Sequence, residues 1–390
     1  MHTLKSIPRG VWALGFVSLF MDTSSELIHS LLPIFMVTTL GASMTAVGLV
    51  EGLSESVALI IKIFSGTLSD YLGKRKLITL IGYGLSTLTK PFFPLAQSIS
   101  MVLTARFIDR MGKGIRGAPR DALLADITPP QIRGACFGLR QALDTVGAFL
   151  GPLLAVAGML LLSGHLRNVL WIAVIPAAIS LFILAFVVKE PKIHHEIKEK
   201  KVFRFHEISR IGPAYWQIVA LGGVLTLARF SDAFLILKAQ AVGLPLSLIP
   251  LVMVVMNIVF ALAAYPAGLL FDRIDRKGVL ILGMIFLIAA DIVLALTSSL
   301  SMLALGVSLW GLNLAFTQGA LAALIAETAP APLRGTAYGI FNFVSGIAML
   351  AASILAGMLW DFYGPFFTFF TGAAFTFAAL IGFLVIYKRT

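Results

Sequence analysis

Residues 66–76 read GTLSDYLGKRK, and residues 268–278 read GLLFDRIDRKG. Laid over one another, the two stretches pair Gly66 with Gly268, Leu68 with Leu270, Asp70 with Asp272, and Lys74 and Arg75 with Arg276 and Lys277. A second pair follows in the same order. ALLADITPPQIRGACFG at 122–138 and ALIAETAPAPLRGTAYG at 323–339 share Ala122, Leu123, Ala125, Pro129, Arg133, Gly134 and Gly138 at a constant offset of 201. Two blocks repeated in one order identify an internal duplication, so the fold consists of two related halves.

The solvent of those halves follows from composition. Of 390 residues, 58% are hydrophobic and only 13% charged, with a mean hydropathy of +0.95. A water-soluble domain carries about 45–50% apolar and about 25% charged residues, so this chain dissolves mainly in lipid. At about 20 residues per spanning helix, a dozen spans consume about 240 residues and leave short loops. Apolar stretches bounded by charges or turn residues predict twelve helices, at 10–38, 45–70, 77–96, 99–124, 133–162, 168–188, 212–240, 245–271, 278–297, 299–326, 335–360 and 364–387. The expected fold is therefore an all-α polytopic membrane protein. The longest polar interval, KEPKIHHEIKEKKVFRFHEISR at 189–210, divides it into a six-helix bundle at 1–188, a central loop at 189–211 and a second six-helix bundle at 212–390. The first apolar run contains Asp22 and Glu26 and lacks a clear small-x-small cleavage site, which reads as a first span rather than a signal peptide.

The formal net charge of +11 could point to nucleic acid, but the placement of the basic residues excludes it. Lys74, Arg75 and Lys76, Arg133, the central segment, Arg273, Arg276 and Lys277, Arg334, and Lys388 and Arg389 fall in alternate loops, whereas the opposite loops offer essentially Arg167. By the positive-inside rule both termini and the central loop are cytoplasmic, and a bacterial inner (plasma) membrane is the expected location. The one cysteine, Cys136, permits no internal disulfide, and no Cys/His spacing of a zinc site occurs, so no metal or cofactor is expected. GKGIRG at 112–117 has the form G-x-G-x-x-G, but no strand precedes it and it lies inside a span, where glycines serve close helix packing. A G-x-x-x-x-G-K-(S/T) loop is absent, which leaves ATP hydrolysis, and an enzymatic role generally, without a site in the sequence.

The stretch at 66–76 matches, over Gly66, Leu68, Asp70, Gly73, Lys74 and Arg75, the loop G-x-L-x-D-x-x-G-(R/K)-(R/K) between helices 2 and 3 of the major facilitator superfamily. The chain resembles that superfamily over its whole length. The resemblance implies two pseudo-symmetric six-helix bundles, parallel repeats about an axis along the membrane normal, a monomer, and transport by alternating access around a midplane site. It further implies that Gly66, Asp70, Gly73, Lys74 and Arg75, with Asp272 and Arg276 in the second copy, form gating loops. In the family the Asp of this loop sits by the start of helix 11, where a positive helix end favours an anion. Tyr71 stands where the family often has Arg. The helix 4 pattern R-x-x-q-G-x-G is approximated from Arg106, with Asp109 and Arg110 as departures that add charge, and the helix 5 antiporter pattern is half present at Gly147, Gly151 and Pro152. The helix 4 segment also loosely resembles bacterial siderophore-handling and metal-resistance members.

Ionisable residues inside a span are costly and mark solute or proton pathways. On helix 1, Asp22, Glu26 and His29 fall within about 60° of one another at about 100° per residue. Helix 2 carries Glu51, Glu55 and Lys62, and helix 5 carries Arg140 and Asp144 one turn apart. Helix 4 presents Arg106, Asp109, Arg110, Lys113, Arg116 and Arg120 within about 120°, a stripe that cannot face hydrocarbon. At the offset of 201, Arg140 corresponds to Phe341 and Asp144 to Ser345, so these charges are not required by the architecture. The second half keeps Arg229, Asp232 and Lys238 in helix 7 and Asp291 in helix 9.

The expected function is secondary active, proton-coupled transport of a small polar anionic solute, an organic acid or a metal chelate of siderophore type. Asp22, Glu26, Glu55 and Asp144 are the candidate proton-coupling residues. His29, Lys62, Arg106, Asp109, Arg110, Lys113, Arg140, Arg229 and Asp232 are the candidate substrate-binding residues, because guanidinium forks bind carboxylate and phosphate in pairs. The other readings are a divalent-cation exporter, with Asp22, Glu26 and His29 as ligands, and multidrug efflux, favoured by 29 Phe and an apolar second half. The partners expected are a small-molecule substrate, protons and the lipid bilayer, and no nucleic acid.

Overall fold

The structure, a computed structural model, describes residues 7–190, 211–273, 276–330 and 333–387. Among them it is all helix, with no strand. We number the helices α1 (Arg9–Ile34), α2 (Met44–Leu72), α3 (Arg75–Thr89), α4 (Ile99–Ile127), α5 (Arg133–Leu161), α6 in two pieces (Leu166–Ile172 and Val174–Phe182), α7 in two pieces (α7a, Pro213–Ala228; α7b, Ala233–Ala241), α8 (Leu251–Arg273), α9 (Arg276–Leu296), α10 (Leu300–Thr328), α11 (Arg334–Tyr363) and α12 (Pro365–Tyr387). Nine helical segments among the described residues are long and apolar enough to cross a membrane. The helix α4 is not one of them, because its stripe of charge interrupts every apolar window.

The expected spans differ from these helices in three places. Helix α3 stops at Thr89 because Pro91 brings no N–H, and Lys90 closes its last turn. The run 168–188 is two helical pieces and a final π turn at Ile183–Val187. The run 212–240 is broken at residues 229–232, where the Ser231 hydroxyl accepts from Ala233 N–H (3.3 Å) and Ser231 N–H is taken by Ser353 Oγ (3.2 Å). Side-chain capping here offers the backbone an alternative to a continuous helix. The central loop lies mostly at 191–210, outside the described residues.

The helices form two compact units. The first comprises α1, α2 from Val57 onward, and α3 to α6. Its core packs Leu14, Val17 and Met21 of α1 against Tyr83, Leu124, Cys136 and Leu184. Helices α1 and α5 meet backbone to backbone: a Cβ on Gly147 would lie 2.4 Å from Leu19 O, and one on Gly151 2.7 Å from Thr23 O. Helices α3 and α4 interlock in the same way, with a Cβ on Gly112 falling 2.5 Å from Gly82 O and one on Gly82 falling 2.7 Å from Gly112 O. Of the glycines of GKGIRG, Gly112 and Gly114 are therefore packing residues, the latter with a built Cβ 3.0 Å from Ala58 O of α2, as expected of small residues between membrane helices, while Gly117 is not closely approached.

The second unit comprises α7 to α12 and, with them, residues 41–56, the first half of α2. Gly357 of α11 approaches α2 so closely that a Cβ would sit 2.4 Å from Met44 O, and Ser56 Oγ donates to Gly346 O. The carboxylate of Asp361 accepts from the N–H groups of Met44 (2.9 Å) and Thr45 (2.9 Å) and from Thr45 Oγ1 (2.6 Å), satisfying orphan donors at the start of α2.

The duplication is visible in the local chemistry of both units. Ser98 Oγ caps α4 by accepting from Met101 N–H at 3.3 Å, and Ser299 Oγ caps α10 by accepting from Met302 N–H at 3.3 Å, again 201 residues apart.

Candidate functional site

The first unit gathers its charges on the seam where α4 meets α1, α3 and α5. The closest packing of α3 on α4 sets the register. Because Gly82 and Gly112 let the backbones touch, Ser86 Oγ donates to Asp109 O (3.0 Å), and the residues one and two turns further along α3 face the same side. The ammonium of Lys90 thereby reaches Asp109 Oδ1 at 2.9 Å and Ser25 Oγ at 3.1 Å. The Lys90 and Asp109 side chains are 1% and 4% exposed. Arg110 Nε lies 3.8 Å from the other Asp109 oxygen. Arg106, fully buried, places Nη2 2.8 Å from His29 Nδ1 on α1.

A second group lies one to two turns toward the C-terminal end of α4. Arg116 stacks over the Tyr83 ring (4.6 Å) and donates to Ser86 Oγ (2.6 Å). Arg120 donates to Ser18 Oγ (3.0 Å) and approaches Asp121 (3.2 Å) and Asp144 (4.0 Å). Arg140 and Asp144 form the i,i+4 pair at 2.6 Å, with Gln141 Oε1 (2.8 Å) and Asp121 (3.8 Å) also on the Arg140 guanidinium. Asp22 faces Asp144, Lys113, Arg116 and Arg120, and like Glu26 is half-buried.

Sequence and structure thus agree on which helices carry charge and differ on how the stripe is used. Arg106, Asp109 and Arg110 are enclosed, whereas Lys113 and Lys62 are exposed and Asp22, Glu26, Glu55 and Asp144 are half-buried. The expected partners of the α4 cations were carboxylates of helices 1, 2 and 5. Among the contacts described, α5 supplies Asp144 to Arg120 at 4.0 Å, α1 supplies Asp22 near Lys113, Arg116 and Arg120 together with His29 and Ser18, and α3 adds a lysine that competes for the one deep carboxylate of α4. Lys90 itself was not singled out in the sequence. The signal present was a lysine inside an apolar run, which is expensive in hydrocarbon unless paired.

The predicted residues of the second half gather at the break in α7. Half-buried Arg229 follows the last residue of α7a, and Asp232 precedes α7b, where its Oδ1 accepts from the Trp310 indole N–H at 3.1 Å. Asp291 is fully buried in α9. These positions belong to a different unit from Arg106 and Arg110.

In the loop after α2, Gly73 has φ +61°, a left-handed turn that glycine adopts without strain. A Cβ on Gly66 would meet the Ala118 side chain of α4 at 3.4 Å, an ordinary van der Waals distance. Arg75 pairs with Asp126 and donates to Ala122 O (3.1 Å), and Lys76 Nζ donates to Ala185 O (2.8 Å), which ties the loop to α4 and α6. Lys74 is exposed. The side chains of Asp70, Asp272 and Arg276 lie outside the described residues.

Comparisons with known proteins bear on the fold and the family. The family model of the Major Facilitator Superfamily matches residues 14–239 and 219–390. An uncharacterized MFS-type transporter of Methanocaldococcus jannaschii, MJ1317, is 32% identical over 379 residues, covering 95% of this chain and 92% of its own. The quinolone resistance protein NorA of Staphylococcus aureus is 28% identical over 202 residues, about half of each chain. In fold, the chain is similar to the nucleoside transporter NupG in its D323A mutant form, with a TM-score of 0.81 and 14% identity over 97% of this chain and 100% of that one. A duplicated set of helices, a buried charge seam and a matched loop between α2 and α3 converge on one conclusion: the chain is an integral membrane transporter, not an enzyme, and belongs to the Major Facilitator Superfamily.

Proposed function

We propose that this protein moves a small anionic solute, an organic acid or a metal chelate, by alternating access coupled to protons, as a monomer in a bacterial inner membrane with both termini cytoplasmic. The observation that carries the reading is the seam at the core of the first unit, where Lys90, Arg106 and Arg110 surround a single carboxylate, Asp109. Such a seam is the environment in which a carboxylate- or phosphate-bearing solute gains charge-assisted hydrogen bonds. Asp22, half-buried on α1 near Lys113, Arg116 and Arg120, supports a reading in which a proton on its carboxyl is exchanged for an ion pair as the solute enters and leaves, and Glu26 is the second candidate on the same face of α1. One charge moved through 100 mV yields about 2.3 kcal/mol, enough to sustain about a 50-fold solute gradient.

The partial match to NorA favours multidrug efflux as a second reading. Cationic drugs would meet the same-sign charge of Lys62, Lys113 and the deeper arginines, which weighs for the anion. The divalent-cation reading required His29 as a ligand, and His29 Nδ1 is engaged with the Arg106 guanidinium.

The test is flux into proteoliposomes under an imposed pH gradient, with dicarboxylates, phosphate esters, ferric chelates, cationic dyes and divalent metals as separate solutes. Anion flux that requires the gradient and disappears in Arg110→Gln supports the reading. Flux of dyes alone, unaffected by Arg110→Gln, replaces it with drug efflux.

A further inference from the structure

The second unit contains a carboxyl group that the scheme above does not use. Asp291, in the middle of α9, is fully buried, and neither of its oxygens has a hydrogen-bond partner among the described residues. Its surroundings are defined by a glycine on α12. A Cβ built on Gly372 would lie 2.7 Å from Asp291 Oδ2, 3.1 Å from the Phe230 ring and 3.2 Å from the carbonyl oxygen of Ala228. The carboxyl, the ring and the carbonyl therefore share one small cradle that only glycine leaves open.

Ala228 is the last residue of α7a, and the break at 229–232 removes the N–H that would otherwise bond to its carbonyl. Two buried oxygens thus face one cradle without a donor between them. Two oxygens are too few for Ca²⁺ or Mg²⁺, which take six or more ligands, and for Zn²⁺, which takes four. A single proton is enough: a neutral carboxylic acid supplies the missing donor, and the carbonyl is a ready acceptor.

We propose that Asp291 is a proton-binding residue of the second unit, its protonated carboxyl donating to the Ala228 carbonyl across the Gly372 cradle and so holding the break in α7. The step is an acid dissociation. On release, the O–H bond of Asp291 breaks, its electron pair stays on the carboxylate, and the proton passes to water. The resulting anion then opposes a carbonyl dipole of the same sign, and α7 must re-form or shift near residues 229–232. Protonation and the geometry of α7 are thereby linked. This inference deepens the proposed proton coupling and rests on it for its place in a transport cycle.

The sequences of the helices around α9 hold few ionisable residues. Helix α10 contributes one ionisable residue, Glu327, near its C-terminal end, and α12 contributes only Tyr387 at its last position. From α7, Arg229 has Asp232 as its neighbouring carboxylate, Asp232 is engaged by Trp310, Tyr215 bonds through its hydroxyl to Ala337 O, and Lys238 lies in α7b beyond the break. From α11, which packs on α7 and α12, Asp361 is committed to capping α2.

The experiment is infrared spectroscopy of the purified protein in lipid nanodiscs, titrated in pH and read in the protonated-carboxyl stretching region. Wild-type protein is compared with Asp291→Asn, which keeps the shape of the neutral acid. The result expected is a protonated-carboxyl band at neutral pH that Asp291→Asn lacks, and whose loss at higher pH is accompanied by a change in tryptophan fluorescence. Trp310 is the reporter, with its ring 5.5 Å from that of Phe230. Identical spectra of the two proteins at neutral pH overturn the proposal, as does a band abolished by sodium at constant pH, which would make the ligand a metal ion. Should Asp291→Asn not fold, Gly372→Ala retains the carboxyl but fills the cradle: a shifted band supports the proposal, and an unmoved one overturns it. The band without any proton-driven flux in proteoliposomes would leave the site standing and remove the coupling.

Discussion

Lys90 and Asp291 occupy the same place in the two halves of the duplication. The offset of 201 that relates them also relates Gly82 to Gly283 and the capping serines Ser98 and Ser299. Yet the first half places an ammonium there and pairs it at 2.9 Å with Asp109, while the second places a carboxyl whose oxygens have no bonded partner among the described residues. The counterpart of Asp109 is Trp310, which donates to Asp232 instead. A shared backbone has therefore been given two solutions to a buried ionisable group: neutralisation by a partner of opposite charge in one unit, and isolation in an apolar cradle in the other. Paired charges favour a fixed arrangement, whereas an isolated acid gains or loses a proton according to its surroundings.

The sharpest way to break this contrast is to remove one partner from each site. Asp109→Asn leaves Lys90 buried without its counter-ion and should cost about 3–5 kcal/mol in thermal unfolding of the purified protein. Asp291→Asn, which removes a group already suited to be neutral, should change stability by less than about 1 kcal/mol, within the range of an unmade net hydrogen bond. Equal losses at the two positions would show that the sites are not different in kind.

The neighbouring deep cation sharpens the comparison. Arg106→Met should cost about 1.5–3 kcal/mol through its lost bond to His29, and the loss should shrink when His29 is replaced by Phe in the same protein. Additive losses would mean that the two side chains do not act together. Overpacking the interface that positions Asp109 is next: Gly112→Val should destabilise by about 1–3 kcal/mol, because its side chain meets Gly82 O and Ser86 rather than space. Outside the Asp291 site the smallest effect belongs to Asp361→Ala, which removes the cap of α2 and should cost about 0.5–2 kcal/mol. Hydrogen exchange should then accelerate in the first turn of α2 and stay unchanged in α4.

Much of this was legible in the sequence because membrane helices advertise themselves. Apolar runs, alternating basic loops and the two repeated blocks identify the helices and the duplication without any contact being known. The α4 stripe was equally legible, since hydrocarbon cannot solvate six charges on one side of a helix and protein or water must therefore cover them. Their partners were not. Which α3 residue meets Asp109 depends on the mutual contact of Gly82 and Gly112, a detail of surface shape, and Lys90 lay unremarked inside the run read as 77–96. The break in α7 was hidden for a related reason. Residues 213–241 contain no internal proline, and Gly222 and Gly223 lie before the break, so periodicity alone runs straight through Arg229 and Asp232. What interrupts the helix is side-chain capping by Ser231 and a serine from α11, which only the packed structure brings together.

The contact of α1 with α5 has a consequence for the acid groups beside it. Gly147 and Gly151 seat one backbone on the other at Leu19 and Thr23, directly beside Asp22 and Glu26, with Asp144 on the opposing helix. Carboxyl groups mounted on two helices in main-chain contact keep a nearly constant spacing, because widening it means lifting one helix off the other. In the proposed transport cycle that wall is the unmoving part, and its acid groups keep their separation whatever the other helices of the unit do.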